Sequence, residues 1–152
     1  MAPTSSIPTR LRAAVLLTVV LSALAGAAPL EATAEESSAY IVEVSDVTAP
    51  VGAHDVMHAT LRLRDGYRIL QAYNNRVIAL SSLDDGVVFD SEMVRGTVED
   101  GALVFAVGVR PKKPGRHPIN GIFRVGYIHG EGEMSMVSLK LIASVTGTEH
   151  GN

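Results

Sequence analysis

The chain has no cysteine and no tryptophan among its 152 residues. Without a thiol it can form no disulfide, no thiolate metal site and no cysteine nucleophile. Aromatic residues make up only 5%, too few for a platform on which nucleic-acid bases stack. Positive charge is scarce as well. The 13 Lys and Arg stand against 16 Asp and Glu, for a formal charge of -3 and a pI near 5.9. An acidic chain is a poor partner for a polyanion, so no nucleic-acid partner is expected. What remains is 47% hydrophobic and 19% charged, the composition of one folded globular domain.

The first 34 residues read as an export signal. Arg10 and Arg12 form a basic start with no acid before Glu31, and an apolar stretch runs from Leu11 to Ala28. Pro29 breaks any helix, and Ala32-Thr33-Ala34 supplies the small-x-small pattern of a signal-peptidase site. Cleavage is expected after Ala34, in preference to Ala25-Gly26-Ala27. An uncleaved anchor is the competing reading, but the apolar stretch is slightly short for a span of about 20 residues. The arginines are not adjacent, so there is no twin-arginine signal. These features predict a periplasmic or secreted protein with no membrane span after signal cleavage. An exported domain without cysteine must be held by packing alone.

Residues 35–39 read as a flexible polar leader, 40–147 as the folded domain and 148–152 as a tail. Across the domain, apolar residues recur with period two, broken every ten or so residues by turn chemistry. Val42 and Val44 share one face of a strand over Tyr40–Val47, which Ala49-Pro50-Val51-Gly52 ends. Val56–Arg64 places Met57, Ala59, Leu61 and Leu63 on one face and His58, Thr60, Arg62 and Arg64 on the other. Asp65-Gly66 turns the chain into an extended Tyr67–Tyr73, and Asn74-Asn75 suggests a further turn. Val77–Leu80 and Gly86–Phe89 are short apolar pieces. Asp100-Gly101 predicts a hairpin joining Met93–Val98 to Ala102–Arg110. Pro111–Pro118 is a loop by composition. Gly121–Ile128 and Met134–Val145 are the last strands, joined through His129-Gly130-Glu131-Gly132. No window shows a helical stripe. Seven or eight short strands predict an all-β, immunoglobulin-like antiparallel β-sandwich, with a small barrel as the alternative.

Catalytic chemistry is sparse. There is no Gly-x-Ser-x-Gly, and the histidines are scattered. The carboxylate pairs Asp84-Asp85 and Glu99-Asp100 sit in turn contexts, where solvated turns outweigh acid–base roles. No phosphate-cradling glycine loop is present. No enzyme activity and no cofactor are expected. The one cluster of soft-metal ligands is His129 with Met134 and Met136, supplemented by His54 or His58. Imidazole and thioether suit copper, which makes a periplasmic copper-binding protein the alternative reading. Strand parity puts Met134 and Met136 opposite the inward set Val137, Leu139, Leu141, Ala143 and Val145.

The segment from Gly121 to Val145 (GIFRVGYIHGEGEMSMVSLKLIASV) resembles the end of the periplasmic N-terminal domain of DsbD-type thiol:disulfide interchange proteins. Asp65-Gly66-Tyr67-Arg68-Ile69 loosely resembles the stretch of that family that opens a strand near its active-site cap. The resemblance implies an immunoglobulin-like fold. It also implies redox cysteines at two places where this chain has Tyr127-Ile128-His129 and Gly132-Glu133-Met134. Thiol–disulfide exchange needs an attacking thiolate and a leaving thiol, so no catalytic role carries over. The resemblance implies a non-enzymatic binding module whose partner is another periplasmic or membrane protein. The expected surface is the tip near Tyr67, Tyr127, His129 and Met134.

Overall fold

The computed structural model of the protein describes residues 35–37 and 39–149. The expected signal peptide and the end of the expected tail lie outside them. The chain folds as an all-β, immunoglobulin-like sandwich of two sheets. Its strands are β1 (Glu35–Glu36), β2 (Tyr40–Val44), β3 (Val47–Pro50), β4 (Asp55–Leu63), β5 (Tyr67–Ile69) and β6 (Arg76–Ser82). They continue with β7 (Val87–Phe89), β8 (Val94–Arg95), β9 (Thr97–Glu99), β10 (Ala102–Pro111), β11 (Gly115–His129) and β12 (Glu133–Thr148). The first sheet runs β1-β2-β4-β10-β7, with β9 also on β10. The second runs β3-β12-β11-β6-β8, with β5 also on β11. No helix among the described residues is long and apolar enough to cross a membrane.

The period-two pattern works as expected in the long strands. Met57, Ala59 and Leu61 of β4 are buried against Leu103, Phe105, Val107 and Val109 of β10. From the second sheet, Phe123 and Val125 of β11 and Leu141 and Val145 of β12 close the core. Phe105 and Phe123 meet edge to face across the two layers, with ring centroids 5.3 Å apart. At the predicted hairpin, Asp100 (φ 47°) and Gly101 (φ 77°) both take left-handed angles. That pair of angles makes the two-residue turn whose twist suits antiparallel strands.

Where local patterns competed with the sandwich, the structure departs from them. The expected strand over 40–47 divides. β2 stays in the first sheet, and β3 crosses to the second to pair parallel with the end of β12. So Ala49-Pro50 prolongs a strand rather than ending one, and the sandwich has one parallel pair. Asp46 holds the crossing: its Oδ1 accepts the Ser144 N–H at 2.8 Å, and Arg116 reaches its Oδ2 at 3.3 Å. Met93–Val98 likewise divides into β8 and β9 on opposite sheets. Gly96 permits the passage, because a Cβ there would lie 2.7 Å from the Phe105 ring. These sheet switches, together with short strands such as β1, bring the strands among the described residues to twelve without changing the fold class.

Other boundaries shift for similar reasons. The extended stretch at Tyr67 stops at Ile69. Part of the expected leader is strand: β1 pairs with β2, and Ser37 Oγ accepts the N–H groups of Ala39 and Tyr40. Thr148, assigned to the tail, pairs with Pro50.

The expected loop over 111–118 shortens, because β11 begins at Gly115. His117 is the cause. Its ring is 5% exposed and lies against Gly86, where any Cβ would overlap it. Nδ1 meets Asp84 Oδ2 at 2.7 Å and Nε2 meets the Lys113 carbonyl at 2.9 Å. Two acceptors on one imidazole favour the doubly protonated ring. The hydrogen bond to Asp84, then that to Lys113, raises the His117 pKa above its ordinary 6.5. The same bond, helped by the Gly86 N–H and the Ser82 hydroxyl, pushes Asp84 down to about 2. The histidine contribution is complete below pH 6.5 and is lost as pH rises through the raised value. The aspartate contribution is complete above pH 3.8 and is lost as pH falls toward its lowered value. The unfolding midpoint is therefore expected to be highest between about pH 4 and 6.5, declining on both sides. Calorimetry across pH checks this: the alkaline decline should vanish in His117→Gln.

Candidate functional site

One end of the sandwich collects the strand ends at Leu63, Tyr67, Gly101 and His129. Three of the four residues expected at a binding tip come together here. Tyr67 of β5 pairs in register with His129 of β11, and Tyr127 lies two positions back. The Tyr67 and Tyr127 rings meet edge to face at 5.6 Å, and His129 lies 5.8 Å from Tyr67 and 6.1 Å from Tyr127. All three rings point to the inner side of the second sheet, just past the sealed core. The His129 ring is held on both nitrogens, by Ser135 Oγ at 3.1 Å and Glu133 Oε2 at 3.2 Å. The fourth residue, Met134, sits at the same end but on the outer face, opposite Ile128.

Tyr67 is also a wall of a cleft of about 430 Å³, together with Leu63, Ile69, Val98 and Arg68. A second cleft of about 630 Å³ adjoins it through the shared Gln71 and Val98. Leu103 and Gly96 lie in that second cleft, with Arg95 and Asn74 also lining it. The two form a groove whose exposed lining is more polar than apolar, with two arginines among its lining residues. Among the described residues no carboxylate lines either cleft.

The groove depends on a residue that sequence reasoning placed in a plain turn. Asn75 takes no left-handed angle; among the described non-glycine residues only Ala79, Asp85 and Asp100 do. It is buried and ties three segments together. Its Nδ2 donates to the carbonyls of Leu70 and Tyr73, and its Oδ1 accepts the Gly126 N–H at 2.8 Å. Its carbonyl accepts the Gly96 N–H at 2.9 Å. The loop between β5 and β6 is thereby locked onto β11 and β8. A signal was available in Gly126: a Cβ there would press on Tyr73 at 2.9 Å, so the loop can lie flat only over a glycine.

The soft-metal ligands are not gathered. Met134 and Met136 point outward from the second sheet, while His129 points inward from it. His58 lies on the outer face of the first sheet. His54 is at the turn before β4, bound to Asp90 at 2.7 Å. Among the described residues no group of three or more His, Asp or Glu could hold a metal ion.

Fold and site thus define an immunoglobulin-like β-sandwich with an aromatic tip and an end groove. No family model matches the chain, and no curated protein does. Among solved structures it is similar to the ASH/PapD-like domain 7 of human CEP192. The identity is 14%, covering 72% of this chain and 87% of that one, with a TM-score of 0.32.

Proposed function

We propose that the protein is an exported, non-enzymatic interaction module on a sandwich like the DsbD N-terminal domain, without thiol redox chemistry. Its end groove holds an extended segment of another periplasmic or membrane protein. The observation that carries this reading is the groove itself. Leu63, Ile69 and Val98 offer apolar contact, Arg68 and Arg95 offer cations, and the Tyr67–Tyr127–His129 cluster stands beside them. A matching segment carries apolar side chains for these contacts and a carboxylate for the arginines. Buried aromatic and arginine anchors are the groups that dominate such recognition.

Cross-linking in periplasmic extract, followed by identification of the captured protein, tests the reading. Tyr67→Ala combined with Val98→Glu is expected to reduce capture at least about tenfold, the loss of one or two anchor residues. His54→Ala, on the far side of the molecule, should leave it unchanged. Equal capture by the groove variant and the unaltered protein sinks the placement. The copper alternative has no gathered ligand set to support it, and titration with Cu(I) should show no saturable binding at micromolar protein.

A further inference from the structure

β12 is bonded along its whole length on one side only. β11 pairs with it from Glu133 to Gly147, whereas β3 covers the other side only from Val145 to Thr148. The Ser144 N–H is closed on that second side by Asp46. From Ile142 back to Met134, no hydrogen bond from a described residue reaches the second side.

The backbone groups that face this edge can be assigned. Gly126 N–H donates to Asn75 Oδ1, and its carbonyl accepts the Leu70 N–H at 3.0 Å. Both therefore point away from β12. In an antiparallel ladder the partner of such a residue also points its polar groups away from the pair, and that partner is Met136. By alternation Met134, Ser138, Lys140 and Ile142 do the same. Ser144 bonding to Asp46 on this side has the parity required. Nine residues thus present five N–H and five C=O groups at an open edge. Edge strands in monomers are commonly blunted by several lysines, by proline, by bulges or by inward charges. This stretch has no proline, its register with β11 is unbroken, and Lys140 is its one charge. Its outward side chains are strongly apolar and exposed, Met134 at 69%, Met136 at 68% and Ile142 at 45%.

We propose that a second copy of this chain pairs with the edge, antiparallel, with Ser138 on the twofold axis. The occupant follows from the self-complementarity of the stretch. Its midpoint is Ser138, so centring there lets every open N–H and C=O bond to its twin. Met134 then faces Ile142 of the other copy, Met136 faces Lys140, and Ser138 faces itself. Met136 covers the aliphatic stem of the lysine while the ammonium stays in water, and no like charges are opposed. Centring on Lys140 instead would set two ammonium groups face to face and leave the open groups of Met134 and Met136 without a twin, because Ser144 and Thr146 opposite them are already bonded. On the inner side, half-buried Val137 meets Leu139 of the second copy and extends the core across the axis. The interface is isologous, and two second sheets become one. The groove lies elsewhere, so this pairing stands or falls independently of the proposed function.

The absence of cysteine makes the test clean. Ser138→Cys would place the one thiol of each chain on the axis. Residues facing each other in a hydrogen-bonded pair have Cα atoms about 5.5 Å apart, within disulfide range. Mild oxidation of mature protein recovered from the periplasm of an expression host should cross-link Ser138→Cys at least about tenfold faster than Lys112→Cys, a loop control. Sedimentation of the unaltered protein should show a dimer that dissociates on dilution. Met136→Pro removes one edge N–H and leaves the β11 ladder intact, and Ser138→Lys opposes two charges at the axis. Each should raise the dimer dissociation constant at least about tenfold with unchanged circular dichroism. A monomer at about 100 μM, a concentration that populates even weak transient pairs, overturns the proposal. So does faster cross-linking of Lys140→Cys than of Ser138→Cys.

Discussion

Phe105→Ala is expected to cost about 3–5 kcal/mol, the usual range for truncating a buried phenylalanine. Domains of this kind are stable by roughly 5–15 kcal/mol, so the variant sits near the edge of folding. Phe105 bears this weight because it is fully buried and meets Phe123 edge to face. That contact joins β10 of one sheet to β11 of the other, and no disulfide supplements it. The ring also supports Gly96, where the chain passes from β8 to β9. Truncation removes the contact and leaves a void beneath the groove wall. Phe105→Leu should cost less than about 1.5 kcal/mol, because most of the volume returns. Denaturant unfolding of the three proteins measures the order. An alanine variant as stable as the leucine variant would show that the two sheets do not depend on this contact.

Asn75→Ala is expected to cost about 2–3 kcal/mol, and its effect reaches the site. The substitution leaves the buried Gly126 N–H without its acceptor, while the Leu70 and Tyr73 carbonyls lose the side-chain donor and keep the backbone N–H groups of Tyr73 and Asn75. Leaving one buried polar group unsatisfied costs about 1–3 kcal/mol. Asn75→Asp keeps the acceptor for Gly126 but turns a buried carboxylate oxygen onto the Leu70 and Tyr73 carbonyls, so its loss should be no smaller. Hydrogen exchange separates this local effect from global weakening. Amides over 70–76 and at Gly96 should exchange much faster in Asn75→Ala, while those of Met57 and Ala59 change only with global stability. Uniform acceleration would overturn the role of Asn75 as the latch of the groove.

The long strands were legible from the chain over most of their length because their buried and exposed residues largely alternate. Ala59 and His58, or Leu141 and Lys140, can occupy only opposite faces of a sheet. Asp100-Gly101 was legible because few residue pairs accept two left-handed angles in succession. Those signals are local, and they suffice for an all-β class with two sheets enclosing one core.

The sheet switches at Ser45-Asp46 and at Gly96 were not legible. A strand that changes sheets keeps its local extended character, and only its distant partners differ. Asp46 holds the first crossing through Ser144 and Arg116, and Gly96 clears the second because Phe105 lies beneath it. His117 and Asn75 were misplaced for the same reason. A histidine in a Pro-Lys-Lys-Pro-Gly stretch and an Asn-Asn pair carry loop composition. Each is buried because a distant group joins local carbonyls to satisfy it, the Asp84 carboxylate for His117 and the Gly126 amide for Asn75.

The candidate site divides in the same way. The aromatic character of the tip could be expected from Tyr67, Tyr127 and His129. Strand parity put Met134 on the outward face, as found, but the inward turn of Tyr67, Tyr127 and His129 depends on the pairing of β5 with β11 and was not legible. Local alternation and turn chemistry determined that this cysteine-free chain forms a two-layer β-sandwich. Long-range hydrogen bonding and close packing decided which strands change layers, where the groove opens and which edge of β12 is left unpaired. Those outcomes depend on partners that period-two patterning does not specify.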